Sequence, residues 1–226
     1  MFKNLKITAK MKNHTAASEH LRLDCILSAA KAKELLNDDY YFNPKCAGDK
    51  QIIIDTLSEF LKYDEKSGIF HASCGIGDGR EFVTSFSKRF NSADDEMINF
   101  QGKGKQIIDT SRGFFKSYHK AIITKAYDEI VFYACGDKDE IERLLDVYIH
   151  YIGKKTSQGF GAVNFWRVTE LHEDFSLMCD GKALRFLPVQ HFDQQITFNR
   201  EYVRNAALIP PAWRSDCIDL CFMPCL

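Results

Sequence analysis

The 226-residue sequence contains no long apolar run, no Cys-x-x-Cys pair and no stretch rich in proline, glycine or serine. No segment approaches the roughly 18 continuous apolar residues that a membrane-spanning helix needs, so we expect no membrane partner. The N-terminal segment Met1–Met11 alternates polar and apolar residues and lacks the apolar core of a secretory signal peptide. These absences favour a cytoplasmic protein with reduced thiols, without a flexible linker between domains.

Eight cysteines are present, and the last three, Cys217, Cys221 and Cys225, recur at intervals of four residues. They lack the Cys-x-x-Cys spacing that is usual in zinc sites, and Pro224 would interrupt a helix that brought them together. We therefore expect ordinary thiols, no metal and no cofactor. A metal site built from these three cysteines is the alternative.

Positive and negative charges are nearly equal in number over the whole chain, but they are unevenly distributed along the sequence. Thirty lysines and arginines face thirty-one aspartates and glutamates, which gives a formal net charge of −1. Domains that bind nucleic acid by themselves are usually strongly basic, so this balance favours a subunit that holds RNA on one face only. Between Gln101 and Lys125, however, six basic residues accompany a single acid, Asp109. The basic residues are Lys103, Lys105, Arg112, Lys116, Lys120 and Lys125.

Four aromatic side chains lie among these basic residues: Phe114, Phe115, Tyr118 and His119. This mixture is typical of a surface for single-stranded RNA, because phosphates attract cations and unstacked bases contact ring faces. Alternatively, the phenylalanines belong to the core and the lysines to an ordinary solvated face. Lys116, Tyr118 and His119 could also form a metal-independent site that activates a 2′-hydroxyl for RNA cleavage. Neighbours on a strand point to opposite faces, which counts against that site.

The segment Gly153–Gly161 is the second candidate for RNA contact. Its glycines allow a ligand to approach the backbone closely, and its lysines and hydroxyls suit phosphate. The candidate residues are Gly153, Lys154, Lys155, Thr156, Ser157, Gln158 and Gly159. The segment is not a nucleotide-binding P-loop, since Tyr148 stands where that motif needs glycine and Lys155 where it needs Ser or Thr. A plain turn between a helix and a strand is the alternative.

Hydrophobic periodicity predicts a fold of the α+β class. Alternation over Leu5–Met11 predicts a strand, and the pattern after Asp24 predicts a helix to about Leu36 with Asp24 as its N-cap. Asp137 is predicted to cap another long helix that Gly153 ends. Shorter patterns predict a helix at 53–61, strands at 70–76, 130–134 and 162–168, and a hairpin turn at 78–79. This order predicts two βαβ-type halves on one antiparallel or mixed sheet, a ferredoxin-like arrangement.

Several segments resemble the RAMP-type proteins of CRISPR–Cas systems. Leu21 to Ala30 follows the pattern L-x-L-D-x-x-L-x-x-A, and Gly153 to Trp166 follows the glycine-loop pattern G-K-K-x-S-x-G-[FY]-G-x-V-x-x-W. Three further segments agree: a basic stretch at 112–118, a Gly-Asp step at 136–137 and R-x-L-P at 185–188. In order and spacing they are most similar to the handle-capping subunits of type IV effector complexes, the counterparts of the fifth Cas family of type I systems.

This resemblance implies a modified ferredoxin-like, RRM-related RAMP domain with a β-hairpin thumb insertion. The RAMP domain would comprise residues 1–86 and 114–190, the thumb 87–113, and a C-terminal tail packed on the domain 191–226. Trp166 and Trp213 are expected to be packing residues.

The resemblance also implies a non-catalytic subunit that binds the 5′ handle of the CRISPR RNA and nucleates the backbone filament for RNA-guided DNA targeting. Its partners would be the CRISPR RNA, backbone subunits, a large-subunit-like protein and, indirectly, target DNA. One branch of the related type I family cleaves its own RNA, so an endoribonuclease using Lys116, Tyr118 and His119 is the alternative. A decoy that copies the subunit would share the same sequence features.

Overall fold

A computed structural model describes residues 1–16, 20–37, 39–42, 49–91 and 108–225. The chain forms two compact units, one of Met1–Arg80 with Lys125–Leu226 and one of Glu81–Thr124. The described residues form five α-helices: α1 (Leu23–Leu36), α2 (Asp39–Phe42), α3 (Lys50–Ser58), α4 (Lys138–Tyr148) and α5 (Val189–Phe192). Their strands are β1 (Lys3–Met11), β2 (Tyr63–Asp64), β3 (Ile69–Phe70), β4 (Gly79–Lys88), β5 (Tyr118–Tyr127), β6 (Glu129–Gly136), β7 (Val163–Leu171), β8 (Met178–Cys179), β9 (Lys182–Ala183), β10 (Leu187–Pro188), β11 (Val203–Ala207) and β12 (Ile218–Phe222).

The main sheet of the first unit has β1 at its centre, antiparallel to β6 on one side and to β7 on the other. Leu5, Ile7 and Ala9 on β1 are at most 1% exposed, the period-two burial of a strand with one covered face. Ile7 lies opposite Phe132 on β6 and Val168 on β7. The three strands predicted here from alternation are confirmed, and the fold is of the α+β class with several small antiparallel sheets.

Helices α1 and α4 bury their apolar stripes in the same core cluster as β1. On α4 the stripe consists of Ile141, Leu144 and Leu145, at the spacing of one helix face. The Asp137 carboxylate accepts a hydrogen bond from Glu140 N at 3.1 Å, so the predicted N-cap is confirmed. The helix ends at Tyr148, before the predicted stop at Gly153. None of the helices in the described part of the chain is long and apolar enough to cross a bilayer.

The indole of Trp166 is bound to the C-terminal end of α4. Trp166 is 7% exposed, and its Nε1 donates to the carbonyl of Ile149, 2.9 Å away. That carbonyl follows the last helical residue and has no partner within the helix. Trp166 is therefore a packing residue, as predicted. The same prediction was wrong for Trp213, whose side chain is 74% exposed.

One prediction from a local sequence signal is confirmed only in part, and a second one is wrong. The predicted strand at 70–76 is regular only at Ile69–Phe70 and continues as single bridges, Ala72 to Ala134 and Ile76 to Val131 on β6. Gly75 lies so close to β6 that a Cβ there would come within 2.8 Å of the Phe132 ring. Asp78–Gly79 is not a hairpin turn, because Gly79 begins the ten-residue strand β4.

The C-terminal residues of the first unit form a small antiparallel sheet of order β10-β12-β11. Cys217 and Cys221 are buried there, and burial raises the pKa of the Cys221 thiol to about 11. Thiols with raised pKa values stay protonated at neutral pH and are weak nucleophiles. The C-terminal sheet is thus packed around Cys217 and Cys221, whose pKa values burial raises.

The second unit consists mainly of β4 and β5, which pair with each other as a hairpin. Among its described residues only Thr124 is buried, so the hairpin has little core of its own. The range 87–113, predicted as an insertion, lies within this unit. Residues 92–107, which include the predicted contacts Lys103 and Lys105, lie outside the described residues.

Candidate nucleic-acid interface

The glycine loop, residues 153–161, connects α4 to β7. Its backbone turns through four residues with positive φ: Gly153 at 91°, Lys155 at 60°, Gly159 at 88° and Gly161 at 74°. At Gly161 the space is closed as well, because a Cβ would lie 1.9 Å from the Ile152 carbonyl oxygen. Lys155 adopts the left-handed region although it is not glycine, at a cost of about 1 kcal/mol. Such strained positions cluster at ligand-binding sites.

Hydrogen bonds tie the glycine loop to the segment that follows β1. Two are between main-chain atoms: Lys154 N to the Ala16 carbonyl at 2.5 Å, and Gly161 N to the His14 carbonyl at 2.8 Å. The Asn13 side chain adds two more, donating to the Gly159 carbonyl at 2.6 Å and accepting from Ala162 N at 2.9 Å. The Asn13 amide therefore holds the C-terminal arm of the loop, and the bond to Ala16 holds the N-terminal arm. Asn13 could not be predicted from the sequence, because its partners are about 150 residues away and no local signal marks it.

The side chains of the loop are mostly exposed. Lys154, Lys155, Ser157 and Gln158 are exposed and Thr156 is partly buried. No carboxylate within the described ranges lies at ion-pair distance from Lys154 or Lys155. These two charges are therefore available to an anion. The arrangement suits phosphate, which Lys binds as a point charge and exposed donors then orient.

A buried ion cluster joins two of the segments that carry the family resemblance. Asp24 is 1% exposed and contacts Arg22 at 2.6 Å and Arg185 at 3.3 Å. Helix α1 begins at Leu23 after Arg22, so Asp24 is its second residue rather than its N-cap, which corrects the prediction. The guanidinium of Arg185 also donates to the carbonyls of Phe70 and Leu208. The cluster therefore links α1, strand β3 and the C-terminal part of the chain.

Charge in this cluster is compensated only in part, because two guanidinium groups share one carboxylate. Burial pushes the pKa of the Asp24 carboxyl upward, but the charges of Arg22 and Arg185 outweigh burial and hold that pKa below its usual value. Carboxylate and guanidinium groups that are desolvated together must satisfy one another. These residues therefore have a structural role, and carbonyl oxygens accept further hydrogen bonds from both guanidinium groups.

The hairpin presents the second set of predicted contacts. Phe114 is 82% exposed, so it is not a core residue, and Lys88 Nζ lies 4.8 Å from the centroid of its ring. Arg112 pairs with Asp109 at 2.6 Å, which reduces its free charge. Lys116 is exposed, and no carboxylate in the described part of the hairpin pairs with it. Lys116 is thus a more available cation than Arg112.

Tyr118 and His119 are neighbours on β5 with different partners. The Tyr118 ring lies 5.9 Å from that of Phe86, and His119 Nδ1 is 2.6 Å from Ser87 Oγ. Successive residues of a strand face opposite sides, so the phenol and the imidazole are on opposite faces of the hairpin. The structure therefore does not bring Tyr118 and His119 together as an acid–base pair.

The family of the chain follows from a comparison with known proteins. Residues 79–224, from β4 through β12, match the family model described as CRISPR type IV associated protein Csf3. The chain belongs to the Csf3 family. It is therefore a component of a type IV CRISPR effector, as the resemblance implied at this coarser level. No curated protein matches the sequence.

The Csf3 match covers the hairpin, the glycine loop and Arg185, and it extends through the C-terminal sheet. The sequence motifs assigned from resemblance end near residue 190, so the match adds the C-terminal sheet to the family region. Strand β1, which is central to the sheet, and Asn13 lie before the matched range.

Proposed function

We propose that this Csf3-family chain is a non-catalytic subunit that binds the 5′ handle of the CRISPR RNA and nucleates the backbone filament. The observation that carries this proposal is the glycine loop, in which Asn13 positions a strained backbone and Lys154 and Lys155 are exposed without a counter-charge among the described residues. Because the net charge of the whole chain is close to zero, attraction to RNA phosphates must come from local groups of cations such as these. The exposed Lys116 and the aromatic residues of the hairpin extend the proposed RNA contacts.

The proposed fold is a ferredoxin-like RAMP domain, 1–86 and 114–190, with a hairpin thumb around 87–113 and a C-terminal tail at 191–226. Strand order supports it, because β6 and β7 are both antiparallel to β1 and so are parallel to each other, with α4 between them in sequence. Single bridges also join Ala72 and Ile76 to the free side of β6, and this fourth position supports the strand order expected for two βαβ halves. Backbone subunits, a large-subunit-like protein and, indirectly, target DNA are the proposed partners.

The double variant Lys154→Gln, Lys155→Gln tests RNA binding by the loop. It should bind a handle oligoribonucleotide more weakly, and the slope of log affinity against log salt should fall by about 0.7 for each phosphate that the variant no longer neutralises. Titration by fluorescence anisotropy at several salt concentrations measures both. The matched control is Lys62→Gln, Lys66→Gln. Lys62 N bonds to the Cys135 carbonyl, at the end of the sheet opposite the glycine loop, so this control should keep the wild-type slope. Equal slopes for all three proteins would refute the proposal.

A second prediction concerns catalysis. Because Tyr118 and His119 are on opposite faces of the hairpin, the purified protein should not cleave repeat RNA in EDTA at a defined site. The measurement is denaturing gel electrophoresis of end-labelled repeat RNA, comparing the wild type with His119→Ala and Tyr118→Phe. Specific cleavage by the wild type that either substitution abolishes would favour the endoribonuclease instead.

A further inference from the structure

A pocket of about 430 Å³ lies beside the glycine loop in the first unit. Its volume is in the range of small-molecule sites. One wall comes from α1 with Ala29 and Lys33, and the other from the segment after α4 with Tyr151, Gly153 and Lys154. The pocket therefore shares Lys154 with the proposed phosphate-binding loop.

The pocket carries positive charge that no described carboxylate compensates. Lys33 Nζ donates to the Tyr148 carbonyl at 2.9 Å, and burial lowers the pKa of Lys33. No carboxylate in the described part of the chain pairs with Lys33 or Lys154. Lys31, on the same helix, is different, because it pairs with Glu34 at 2.6 Å and with Glu140 at 3.3 Å. A partly buried lysine without a counter-charge favours an anionic ligand.

The pocket also offers an aromatic surface. Tyr151 lines it and is 49% exposed, so part of its ring is accessible from solvent. A ring face beside cations suits an unstacked nucleobase with its phosphate, since every base has a face that stacks on an aromatic side chain. Lys155, exposed on the same loop, extends the positive charge beyond the pocket. An RNA chain, with several phosphates, can contact more of these positive charges than a free mononucleotide can.

We propose that this pocket receives one unstacked base of the bound RNA, stacked on Tyr151, with the adjoining phosphate neutralised by Lys33 and Lys154. The proposal rests on the proposed function, RNA binding at the glycine loop, and adds a position-specific subsite to it. One nucleotide of the handle is thereby set apart from its neighbours, which fixes the register of the RNA on the subunit.

The test uses the full chain and a series of handle oligoribonucleotides, each with one base replaced by an abasic residue. One abasic position should weaken binding about tenfold, the scale of stacking a single base on an aromatic ring. Tyr151→Ala should weaken binding of the intact RNA by the same factor and should not weaken binding of that abasic RNA further. Tyr151→Phe keeps the ring and should bind like the wild type. Tyr202→Ala is the matched control, because Tyr202 is 60% exposed on the C-terminal segment.

The outcomes separate the pocket from the proposed function. If Tyr151→Ala binds intact RNA like the wild type, the pocket proposal is wrong. It is also wrong if, at every abasic position, the loss of affinity from Tyr151→Ala multiplies the loss from the missing base. If Lys154→Gln, Lys155→Gln weakens binding in that case, RNA binding by the loop still stands. If neither variant weakens binding, both proposals fail. Thermal unfolding of each variant excludes loss of fold as the cause, and Tyr151→Phe separates the ring from the hydroxyl.

Discussion

Replacing Asp24 by Asn should lower the free energy of unfolding by about 3–5 kcal/mol, the usual cost of removing one partner from a buried ion cluster. The substitution keeps the size of the side chain but leaves Arg22 and Arg185, both nearly inaccessible to water, without their negative partner. Two guanidinium groups would then share a buried site with only carbonyl acceptors. Urea unfolding followed by circular dichroism measures the change.

The control for this experiment is Glu170→Gln, which breaks the exposed pair of Lys3 and Glu170 at 2.7 Å. Exposed pairs contribute little to stability, because both charges are well hydrated when apart. The control should therefore unfold at nearly the wild-type urea concentration. An Asp24→Asn protein as stable as the control would show that the two arginines do not depend on Asp24.

The Asp24 cluster also predicts a pH dependence with a definite sign. The pKa of Asp24 is lower in the folded state than its usual value of about 4. The contribution of the ionised Asp24 carboxylate to the free energy of unfolding is therefore fully present above about pH 4. It is lost as pH falls through the lower folded-state pKa. The difference in unfolding free energy between wild type and Asp24→Asn should shrink as pH decreases below about 4.

Replacing Gly161 by Ala should destabilise the protein by about 3 kcal/mol, whereas Gly159→Ala should cost about 1 kcal/mol. Both residues have positive φ, 74° and 88°, so alanine pays about 1 kcal/mol of backbone strain at either position. Only Gly161 has an additional conflict, because its Cβ would meet the Ile152 carbonyl, whereas no described atom lies within 4 Å of a Cβ at Gly159. Overpacking of this kind adds about 2 kcal/mol.

Urea unfolding of both glycine variants measures the difference. Handle binding gives a second readout, since displacement of the Ile152 backbone should also distort the positions of Lys154 and Lys155. Equal destabilisation by the two variants would mean that the loop relaxes around the new Cβ, and that the close approach at Gly161 does not define its shape.

Predictions from the sequence were most successful where the deciding interaction is local. The alternation of buried residues on β1 extends over nine residues, and the apolar stripe on α4 lies within eleven. The Asp137 cap joins residues only three positions apart. They were least successful where a partner is distant. Asp24 was predicted as an N-cap because aspartate is common both at helix N-termini and in buried ion pairs. Its partner Arg185 is 161 residues away, so no local sign of the buried cluster exists in the sequence.

The same difference applies to the candidate site. The lysines and glycines of the loop could be selected from the sequence, because phosphate chemistry requires those residue types close together. Asn13, Lys33 and Tyr151 could not, because each joins the site through contacts with other segments. The position of Gly79 at the start of a strand was likewise decided by pairing with β5 rather than by the local Asp-Gly signal.

Local sequence patterns were sufficient to predict the α+β class, the strands of the main sheet, the long helices packed on it, and the motifs that indicate a type IV CRISPR protein. These features depend on periodicity and on residues that are close together in the sequence, and both can be read without knowing the fold. Tertiary structure alone decided that Asp24 and Arg185 form a buried ion cluster, that Asn13 holds the glycine loop, and that Tyr118 and His119 are kept apart. Each of these depends on distances between atoms, and only chain folding brings distant segments within hydrogen-bonding range.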